Sequence, residues 1–261
     1  MINIGIFDSG LGGLTVLKEI KALIPYASTI YIGDTARTPY GSCSPDILKT
    51  YGQQLVSFLL GNQANIIVAA CGTISSNAAD FLKENNIIDI IKPAALYINK
   101  NFNSSTRLGL IATEATINSG VFAQTIKQYN PNMSIISKAC PLFVSLIEQG
   151  LINELADIAR EYLYDMINTI DVLVLGCTHY PIIINILKEI LPIPIIDLGI
   201  AVAEYTKNAV IQYKQIPTHK VYVTKDPQGF KKRAFELLDM NLLHVELVKE
   251  GMNNQQKGGF L

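Results

Sequence analysis

The stretch Asp171-Val-Leu-Val-Leu-Gly-Cys177-Thr178-His179-Tyr-Pro181 decides the expected fold. An apolar run of strand length ends at a cysteine, a hydroxyl residue and a histidine, and Pro181 then opens a helical pattern. Proline suits the first turn of a helix because that position needs no N–H donor. Open α/β sheets place their ligand sites beyond the carboxyl ends of buried strands. The stretch therefore predicts a site at Cys177, Thr178 and His179.

A second stretch has the same design. Asn65-Ile-Ile-Val-Ala-Ala-Cys71-Gly-Thr is also an apolar strand followed by a cysteine and a threonine, with a helical pattern from about Ser75. Cys71 and Cys177 then occupy equivalent places in two βαβ units. Because a two-fold relation turns both strand ends toward one cleft, we expect the two thiols to face each other.

The two stretches belong to a longer internal repeat. The segment Arg107-Leu-Gly-Leu-Ile resembles Asn3-Ile-Gly-Ile-Phe at an offset of 104 residues. Thr29-Ile-Tyr matches Ser134-Ile-Ile at an offset of 105, and the two strand-end cysteines are 106 residues apart. Near-constant offsets across three strands indicate an internal duplication.

Strands alternate with helices along the chain, which predicts an α/β fold with mostly parallel sheets. The pattern also predicts a short strand over Ile87–Ile91, a helix over Ala201–Gln212 and a last strand over His244–Val248. The asparagine-rich segment Asn99–Thr106 is the best candidate for a linker, and we expect the glycine-rich segment Gly251–Gly259 to be a frayed tail.

Composition and charge exclude several classes of protein. The chain has 21 Lys+Arg against 22 Asp+Glu, so no basic excess predicts a nucleic-acid partner. A hydrophobic content of 49% with 16% charged residues suits buried parallel sheets. Apolar runs stay below the roughly 18 residues that a membrane-spanning helix needs, and the amino terminus lacks the features of a signal peptide. We therefore expect a cytoplasmic protein without a membrane partner.

The four cysteines show no C-x-x-C pair and no zinc-binding spacing, so we expect no metal. A disulfide is not expected in a reducing compartment. Cys43 and Cys140 are interpreted as small structural residues, whereas the repeated pair Cys71 and Cys177 is interpreted as functional.

Three chemistries use cysteine near histidine. In a Cys-His hydrolase one thiol attacks a carbonyl and the histidine takes its proton, which leaves Cys71 without a task. In a redox enzyme the two thiols exchange disulfides, which usually requires them to be close in sequence or in contact. In a proton-transfer enzyme one thiol removes a proton from carbon and the other returns a proton to the opposite face. A matched pair in duplicated halves favours the last, as racemisation or epimerisation.

These residues carry a resemblance that extends over nearly the whole chain. The motifs, in chain order, are Gly5-Ile-Phe-Asp8-Ser9-Gly-Leu-Gly-Gly13, Tyr31-Ile-Gly-Asp34-Thr-Ala-Arg37 with Pro39-Tyr40-Gly41, Ala70-Cys71-Gly72-Thr73, Ala112-Thr113-Glu-Ala-Thr116-Ile-Asn-Ser119, Cys140-Pro-Leu-Phe-Val144 with Glu148, and Leu175-Gly-Cys177-Thr178-His179-Tyr-Pro181. In these motifs the chain resembles the cofactor-independent aspartate/glutamate racemase family. Their order makes an accidental match improbable.

The resemblance implies two similar open α/β domains related by a pseudo-two-fold axis, with the active site in the cleft between them. The first domain would comprise residues 1–98 and 208–261 and carry Cys71, and the second would comprise residues 99–207 and carry Cys177. It implies racemisation of glutamate to supply D-glutamate for peptidoglycan, with no cofactor. The expected partner is the small-molecule substrate glutamate. A homodimer is a possible assembly under this resemblance.

The resemblance also implies roles for single residues. Cys71 would remove the α-proton of D-glutamate and Cys177 that of L-glutamate. Asp8 would assist Cys71, and His179, with Glu148 nearby, would assist Cys177. The positions expected to hold the substrate are Ser9, Tyr40, Gly41, Gly72, Thr73, Thr113, Thr116 and Thr178. The glycines between Ser9 and Leu14 would allow close approach of the backbone and would not form a nucleotide loop.

The sequence departs from the family pattern at Gly72, where the family usually has asparagine, and at Ser145 and Lys225. Loss of the asparagine side chain predicts a weaker grip on the substrate, so Gly72→Asn is expected to lower KM. Two rival hypotheses remain at this point. One is a racemase for aspartate or another amino acid, and the other is a catalytically weak relative that acts as a binding or regulatory protein.

Overall fold

The computed structural model describes residues 2–210 and 216–248, which form two parallel β-sheets flanked by helices. The strands are β1 (Asn3–Asp8), β2 (Ser28–Gly33), β3 (Ile66–Ala69), β4 (Arg107–Ala112), β5 (Ser134–Ala139), β6 (Val172–Leu175), β7 (Ile195–Asp197), β8 (His219–Val223) and β9 (Glu246–Leu247). One sheet has the order β3-β1-β2-β8-β9 and the other β5-β4-β6-β7. Every strand pairing is parallel, which confirms the predicted fold class.

Helices connect the strands and cover both sheets. They are α1 (Gly13–Leu23), α2 (Pro45–Gly61), α3 (Gly72–Asn77), α4 (Ala79–Glu84), α5 (Ile91–Asn101), α6 (Glu114–Ser119), α7 (Val121–Tyr129), α8 (Pro141–Gln149), α9 (Leu155–Leu163), α10 (Ile184–Ile190), α11 (Leu198–Asn208) and α12 (Pro227–Leu238), with short 3-10 turns at Ile152–Glu154, Tyr164–Met166 and Tyr180–Ile183. Among the described residues, none of these helices is long and apolar enough to cross a membrane.

The first three strands of each sheet have the same arrangement. β1 lies between β2 and β3, and β4 lies between β5 and β6. Asn3 pairs with Ser28 and Arg107 pairs with Ser134, so the register equates residue 28 with residue 134, an offset of 106. The sequence match of Thr29 with Ser134 was wrong by one residue, because short apolar strands resemble each other even when shifted. The repeat itself is present in the topology.

The hydrophobic core has one shared cluster and two outer clusters. Ile6 of β1 and Leu110 of β4 both lie in the shared cluster, whereas Phe7 and Ile111 lie in separate outer clusters. Successive residues of a strand point to opposite faces, so these strands are buried on both sides. This explains their continuous apolar sequences. Helix α1 packs against α11, and α5 packs against α7 and α11, which joins the two halves.

Two predicted elements differ in the structure. The expected strand over Ile87–Ile91 is reduced to a single bridge between Val68 and Ile88. The Asp89 carboxylate accepts the N–H groups of Ile91 (2.7 Å) and Lys92 (2.8 Å), so the chain turns into α5 at this point. Helix α5 also includes the start of the segment expected to be a linker.

The carboxyl-terminal predictions are met in part. The helix expected from Ala201 begins earlier, at Leu198, because the Asp197 carboxylate accepts the N–H of Gly199 at 2.8 Å and caps it. The last predicted strand is present only as β9. Residues 211–215 and the expected tail at 251–259 lie outside the described residues.

Candidate active site

A cavity of about 210 Å³ lies where the carboxyl ends of strands from both sheets meet. Cys71 lies just beyond β3 and precedes α3, and Cys177 lies two residues beyond β6. Both thiols line this cavity, as expected from the repeat. The full lining is Ser9, Pro39, Tyr40, Gly41, Ser42, Cys71, Gly72, Thr73, Thr113, Glu114, Pro141, Val144, Cys177, Thr178 and His179.

Three of the residues predicted for the site lie directly behind this lining. Asp8 accepts a hydrogen bond from Thr178, Glu148 bonds to His179, and Thr116 bonds to Thr113. The other predicted residues line the cavity itself. The sequence prediction missed the lining residues Pro39, Ser42, Glu114, Pro141 and Val144. All of these except Ser42 belong to the quoted motifs, so proximity to the motif residues was the available signal.

The Cys177 side of the cavity contains a relay of three side chains. The Sγ atom of Cys177 lies 3.9 Å from Nδ1 of His179, and Nε2 of the same ring lies 2.7 Å from Oε1 of Glu148. Oε1 also accepts the N–H of Leu11 at 2.6 Å, which ties α8 to the loop after β1. The thiol, the imidazole and the carboxylate are therefore aligned for proton transfer.

The relay pairs two buried groups that carry opposite charges, His179 and Glu148. Burial disfavours a charged imidazole, but the hydrogen bonds that the charged ring donates to Cys177 and Glu148 outweigh this effect and raise the pKa of His179 well above 6.5. Burial also disfavours a charged Glu148, yet the hydrogen bond and charge of His179 and the N–H of Leu11 hold the pKa of this carboxyl below 4.5. Both shifts in pKa favour an imidazolium paired with a carboxylate.

The Cys71 side has a carboxyl group and no histidine. Asp8 is fully buried, and its Oδ2 accepts the N–H of Gly10 at 2.9 Å while Oδ1 accepts the hydroxyl of Thr178 at 3.2 Å. Burial raises the pKa of Asp8, although the charge of His179 and backbone N–H groups oppose it. A carboxyl group with a raised pKa is suited to accept and return a proton.

The surroundings of Cys71 raise the pKa of its thiol and keep it protonated. Burial raises the pKa of Cys71 to about 12, and the charges of Asp8 and Cys177 act in the same direction. The backbone N–H groups of Ile74 and Thr73, at the start of α3, lower it by less. Cys71 is therefore a neutral thiol at neutral pH, which is the form that donates a proton.

A chain of hydroxyl groups connects the two halves along one wall. The Oγ1 atom of Thr113 lies 3.0 Å from that of Thr73 and 2.9 Å from that of Thr116. The Ser76 hydroxyl donates to Thr116 Oγ1 at 3.4 Å. Hydroxyl groups both donate and accept, so this chain can reorient toward carboxylate or ammonium groups of a ligand.

A buried carboxylate that the sequence prediction missed fixes another wall. Asp34 accepts hydrogen bonds from the Tyr40 hydroxyl, from Nε of Arg37 at 2.5 Å and from the Thr224 hydroxyl at 2.9 Å. Tyr40 is buried, and its burial and the charge of Asp34 raise its pKa, so the phenol stays neutral. This network holds the lining residues next to Tyr40 in place.

The glycines after β1 allow close approach, as expected, but the groups that approach are side chains of the other half. A Cβ atom on Gly10 would lie 2.0 Å from Oε1 of Glu148, and one on Gly12 would lie 2.4 Å from Nδ1 of His179. A side chain at either position would displace the Glu148 carboxylate or the His179 ring. The loop therefore forms the surface against which the His179–Glu148 pair packs.

The structure contradicts the premise of the prediction for Gly72→Asn, namely that Gly72 faces open space. A Cβ atom on Gly72 would lie 2.5 Å from the carbonyl oxygen of Gly176, which belongs to the backbone of the other half. Backbone cannot move aside like a flexible side chain, so an asparagine would push the two halves apart. The prediction of a lower KM was wrong in its premise, because it assumed open space at Gly72.

The remaining cysteines take no part in the cavity. Cys140 is buried in the outer cluster of the second sheet, and Cys43 is half-buried against that of the first. Within residues 2–210 and 216–248, no group of three or more His, Cys, Asp or Glu side chains is arranged to hold a metal ion.

Comparison with known proteins supports the assignment of the fold. The family model of the Asp/Glu/hydantoin racemases matches residues 15–206. The glutamate racemase of Sulfurihydrogenibium sp. is 41% identical over 256 residues, covering 94% of this chain and 97% of that protein. The crystal structure of the glutamate racemase of Francisella tularensis in complex with D-glutamate superimposes with a TM-score of 0.85 at 35% identity, covering 95% of this chain and 97% of that one.

A second solved structure shows the same two-sheet fold. Isoform RacE1 of the glutamate racemase of Bacillus anthracis superimposes with a TM-score of 0.88 at 28% identity, over 95% of this chain and 98% of that one. The family model covers well over half of the chain, and the relatives match it nearly end to end. The chain therefore belongs to the Asp/Glu/hydantoin racemase family of isomerases.

Proposed function

We propose that this protein interconverts L- and D-glutamate by moving the α-proton between two thiols. One observation carries the proposal: Cys71 and Cys177 follow matching strands of a repeated topology and line the same small cavity. Each thiol has a group of its own that can exchange a proton, Asp8 near Cys71 and His179 beside Cys177. The glutamate racemases among the similar proteins support glutamate as the substrate.

In the direction from L to D, the thiolate of Cys177 takes the α-proton. The Cα–H bond breaks, an S–H bond forms on Cys177, and the electron pair delocalises into the α-carboxylate. The Cys71 thiol then gives its proton to the opposite face, so its S–H bond breaks and a new Cα–H bond forms. In the reverse direction the two thiols exchange roles. To restore the starting forms, the Cys71 thiolate takes up a proton through Asp8 and the Cys177 thiol loses one, which the positive charge of His179 favours.

The carbanion requires donors near the α-carboxylate and no competing base. The cavity lining offers the hydroxyl groups of Ser9, Thr73, Thr113 and Thr178, and none of its described residues is lysine or arginine. Neutral donors stabilise the developing charge without capturing the migrating proton. The backbone N–H of Gly41 and the fixed position of Tyr40 are proposed to hold the second carboxylate.

The proposed product is D-glutamate for peptidoglycan, made in the cytoplasm without a cofactor. A homodimer and the domain boundaries at residues 98 and 208 stay predictions. Light scattering of the purified protein tests the first, and limited proteolysis near these boundaries tests the second.

Circular dichroism of single amino acid enantiomers tests the proposed function. Incubated with the protein and no added cofactor, both L- and D-glutamate should lose their signal and reach the same racemic end point. Aspartate and other amino acids should change much more slowly. A faster loss with aspartate would assign a different substrate, and unchanged signals for the whole panel would leave a binding protein instead.

A further inference from the structure

Among the described residues that line the active cavity, only Glu114 carries a carboxylate. This residue follows Thr113 and lies in the first turn of α6. Its side chain is exposed and also lines the cavity, so it lies where the cavity opens to solvent. The two-thiol reaction proposed above gives it no role.

The other two carboxylates near the thiols already have partners within the protein. Asp8 lies behind the lining, where its oxygens accept a backbone N–H and the hydroxyl of Thr178. Glu148 also lies behind the lining and is bonded to His179. The carboxylate of Glu114, in contrast, forms no hydrogen bond and no salt bridge with any residue that the structure describes. It is therefore available to a ligand in the cavity.

Glu114 belongs to the wall on which the two halves meet. The Oγ1 atoms of Thr73 and Thr113 lie 3.0 Å apart across this wall. Gly72 precedes the first of these threonines and Glu114 follows the second, and all four residues line the cavity. Gly72 has no side chain, and the threonines offer neutral hydroxyl groups. Glu114 thus supplies the negative charge of this wall.

An amino acid brings an ammonium group into the cavity, and this group needs a partner there. It loses water on entering a space of about 210 Å³, and burying a charge without an opposite charge is costly. The thiols face Cα in the proposed reaction, and the positive charge of His179 repels an ammonium group. Among the groups that line the cavity, Glu114 is therefore the partner of opposite charge.

We propose that Glu114 binds the α-ammonium group of the substrate and selects amino acids over simple dicarboxylates. The assignment rests on the proposed function, because it takes an amino acid as the ligand. Glu114 is a binding residue, and no proton passes through it. The same carboxylate repels a dicarboxylate that lacks the ammonium group. Because the ion pair forms where the cavity opens to solvent, water screens it, and its effect falls on KM rather than on kcat.

Kinetics of Glu114→Gln, with glutarate as a second ligand, test this assignment. Glutarate has the two carboxylates of glutamate and lacks the ammonium group, and it is measured as a competitive inhibitor of racemisation. We expect Glu114→Gln to raise KM for both enantiomers about fivefold, the upper range for an exposed ion pair, with kcat changed less than about twofold. The inhibition constant of glutarate should fall, because the substitution removes a repulsion.

The matched control is Asp80→Asn. Asp80 is also an exposed carboxylate in the first turn of a helix, α4, and it does not line the cavity. A negative charge in the first turn stabilises a helix wherever the helix lies. Asp80→Asn should therefore leave KM and the inhibition constant of glutarate at their wild-type values, which separates the lost ammonium partner from the lost helix charge.

An unchanged KM in Glu114→Gln would overturn the assignment. A parallel rise of KM and of the inhibition constant of glutarate would do the same, since it would indicate a distorted cavity and not a lost partner of the ammonium group. Both outcomes leave racemisation by the wild type intact, and so leave the proposed function standing. A wild type that racemised no glutamate would instead contradict the proposed function, and this assignment with it.

Discussion

The two halves of the molecule share a backbone plan and differ in the groups behind their thiols. In the first half the strand β1 ends in Asp8, and the residue two positions after Cys71 is Thr73. In the second half β4 ends in Ala112, at the position equivalent to Asp8, and the residue two positions after Cys177 is His179. Each half thus has one ionisable group beside its thiol, at a different place in the repeat.

This difference shows what the duplication supplies and what it does not. The repeated strand order brings both cysteines to one cavity. The electrostatics are then set separately, by a buried carboxyl group on one side and by a charged imidazolium–carboxylate pair on the other. The two directions of the proposed reaction are therefore chemically unequal, although their equilibrium constant must be one.

The largest expected effect comes from removing either thiol. Cys71→Ala and Cys177→Ala should each lower kcat by about a thousandfold or more, because acid and base both act in every turnover. The matched controls Cys43→Ala and Cys140→Ala should stay near the wild type, apart from a packing loss at Cys140. Steady-state assays by circular dichroism measure all four. A control as damaging as the first pair would show that the wrong thiols had been chosen.

The next largest effect separates the groups behind the thiols. Asp8→Asn and His179→Asn should each lower kcat/KM by about a hundredfold, equally for both enantiomers, because an enzyme cannot change the equilibrium. The isotope effect with α-deuterated substrate can differ between directions. Asp8→Asn should raise it mainly for D-glutamate, whose proton Cys71 removes, and His179→Asn mainly for L-glutamate. If both variants raised the isotope effect mainly for the same enantiomer, Asp8 and His179 would not serve different thiols, and this proposal would be wrong.

Glu148 gives the second half a dependence of stability on pH. His179, with a pKa raised above 6.5, contributes stability that is complete below that pH and is lost as pH rises through the raised value. Glu148, with a pKa lowered below 4.5, contributes stability above that pH and loses it as pH falls through the lowered value. Glu148→Gln should therefore lower the free energy of unfolding most between pH 4.5 and pH 6.5, by about 1.5–3 kcal/mol.

Urea unfolding at several pH values measures this cost. The matched control is Glu154→Gln, which changes an exposed carboxylate of the same half. We expect the cost of Glu148→Gln to shrink as the pH rises above 6.5, and that of the control to stay near zero throughout. A cost that is constant from pH 5 to pH 9 would argue against an ionised pair.

The smallest effect concerns the contact between the halves. Gly72→Ala places a Cβ atom 2.5 Å from the Gly176 carbonyl and should cost about 1–3 kcal/mol of unfolding free energy and raise KM. Gly61→Ala, at a helix position with open space, should instead be neutral or stabilise by about 0.5–1 kcal/mol. Thermal unfolding and kinetics of both variants measure the difference. A neutral Gly72→Ala with an unchanged KM would show that the halves do not meet there.

Much of the fold of the two halves, and most of the lining of the cavity between them, was predictable from the sequence. Apolar runs that end in Cys71 and Cys177 indicated parallel strands and a shared cleft, because strand period and chain order are local properties. The motif residues led to the lining of the cavity. The pairing of His179 with Glu148 was predicted only through the family resemblance, since the two residues are 31 apart in the chain and meet only in the tertiary structure.

The sequence could not reveal distances between backbones that are far apart along the chain. Whether Gly72 faces open space or the Gly176 carbonyl depends on how the halves pack. The full network around Asp34 was missed for a similar reason, because one of its three partners, Thr224, comes from the other end of the chain. The strand expected at Ile88 failed because the nearby Asp89 caps a helix, and local capping outweighed strand propensity.

Solvent labelling tests the central claim most directly, namely that two different thiols face opposite sides of one substrate. The enzyme is incubated with L-glutamate in deuterated water, and both enantiomers are separated early and analysed by mass spectrometry. We predict deuterium at Cα of the newly formed D-glutamate while the unconverted L-glutamate stays protonated, and the mirror result from D-glutamate. Equal early labelling of product and remaining substrate would mean that one base serves both faces and would contradict the account.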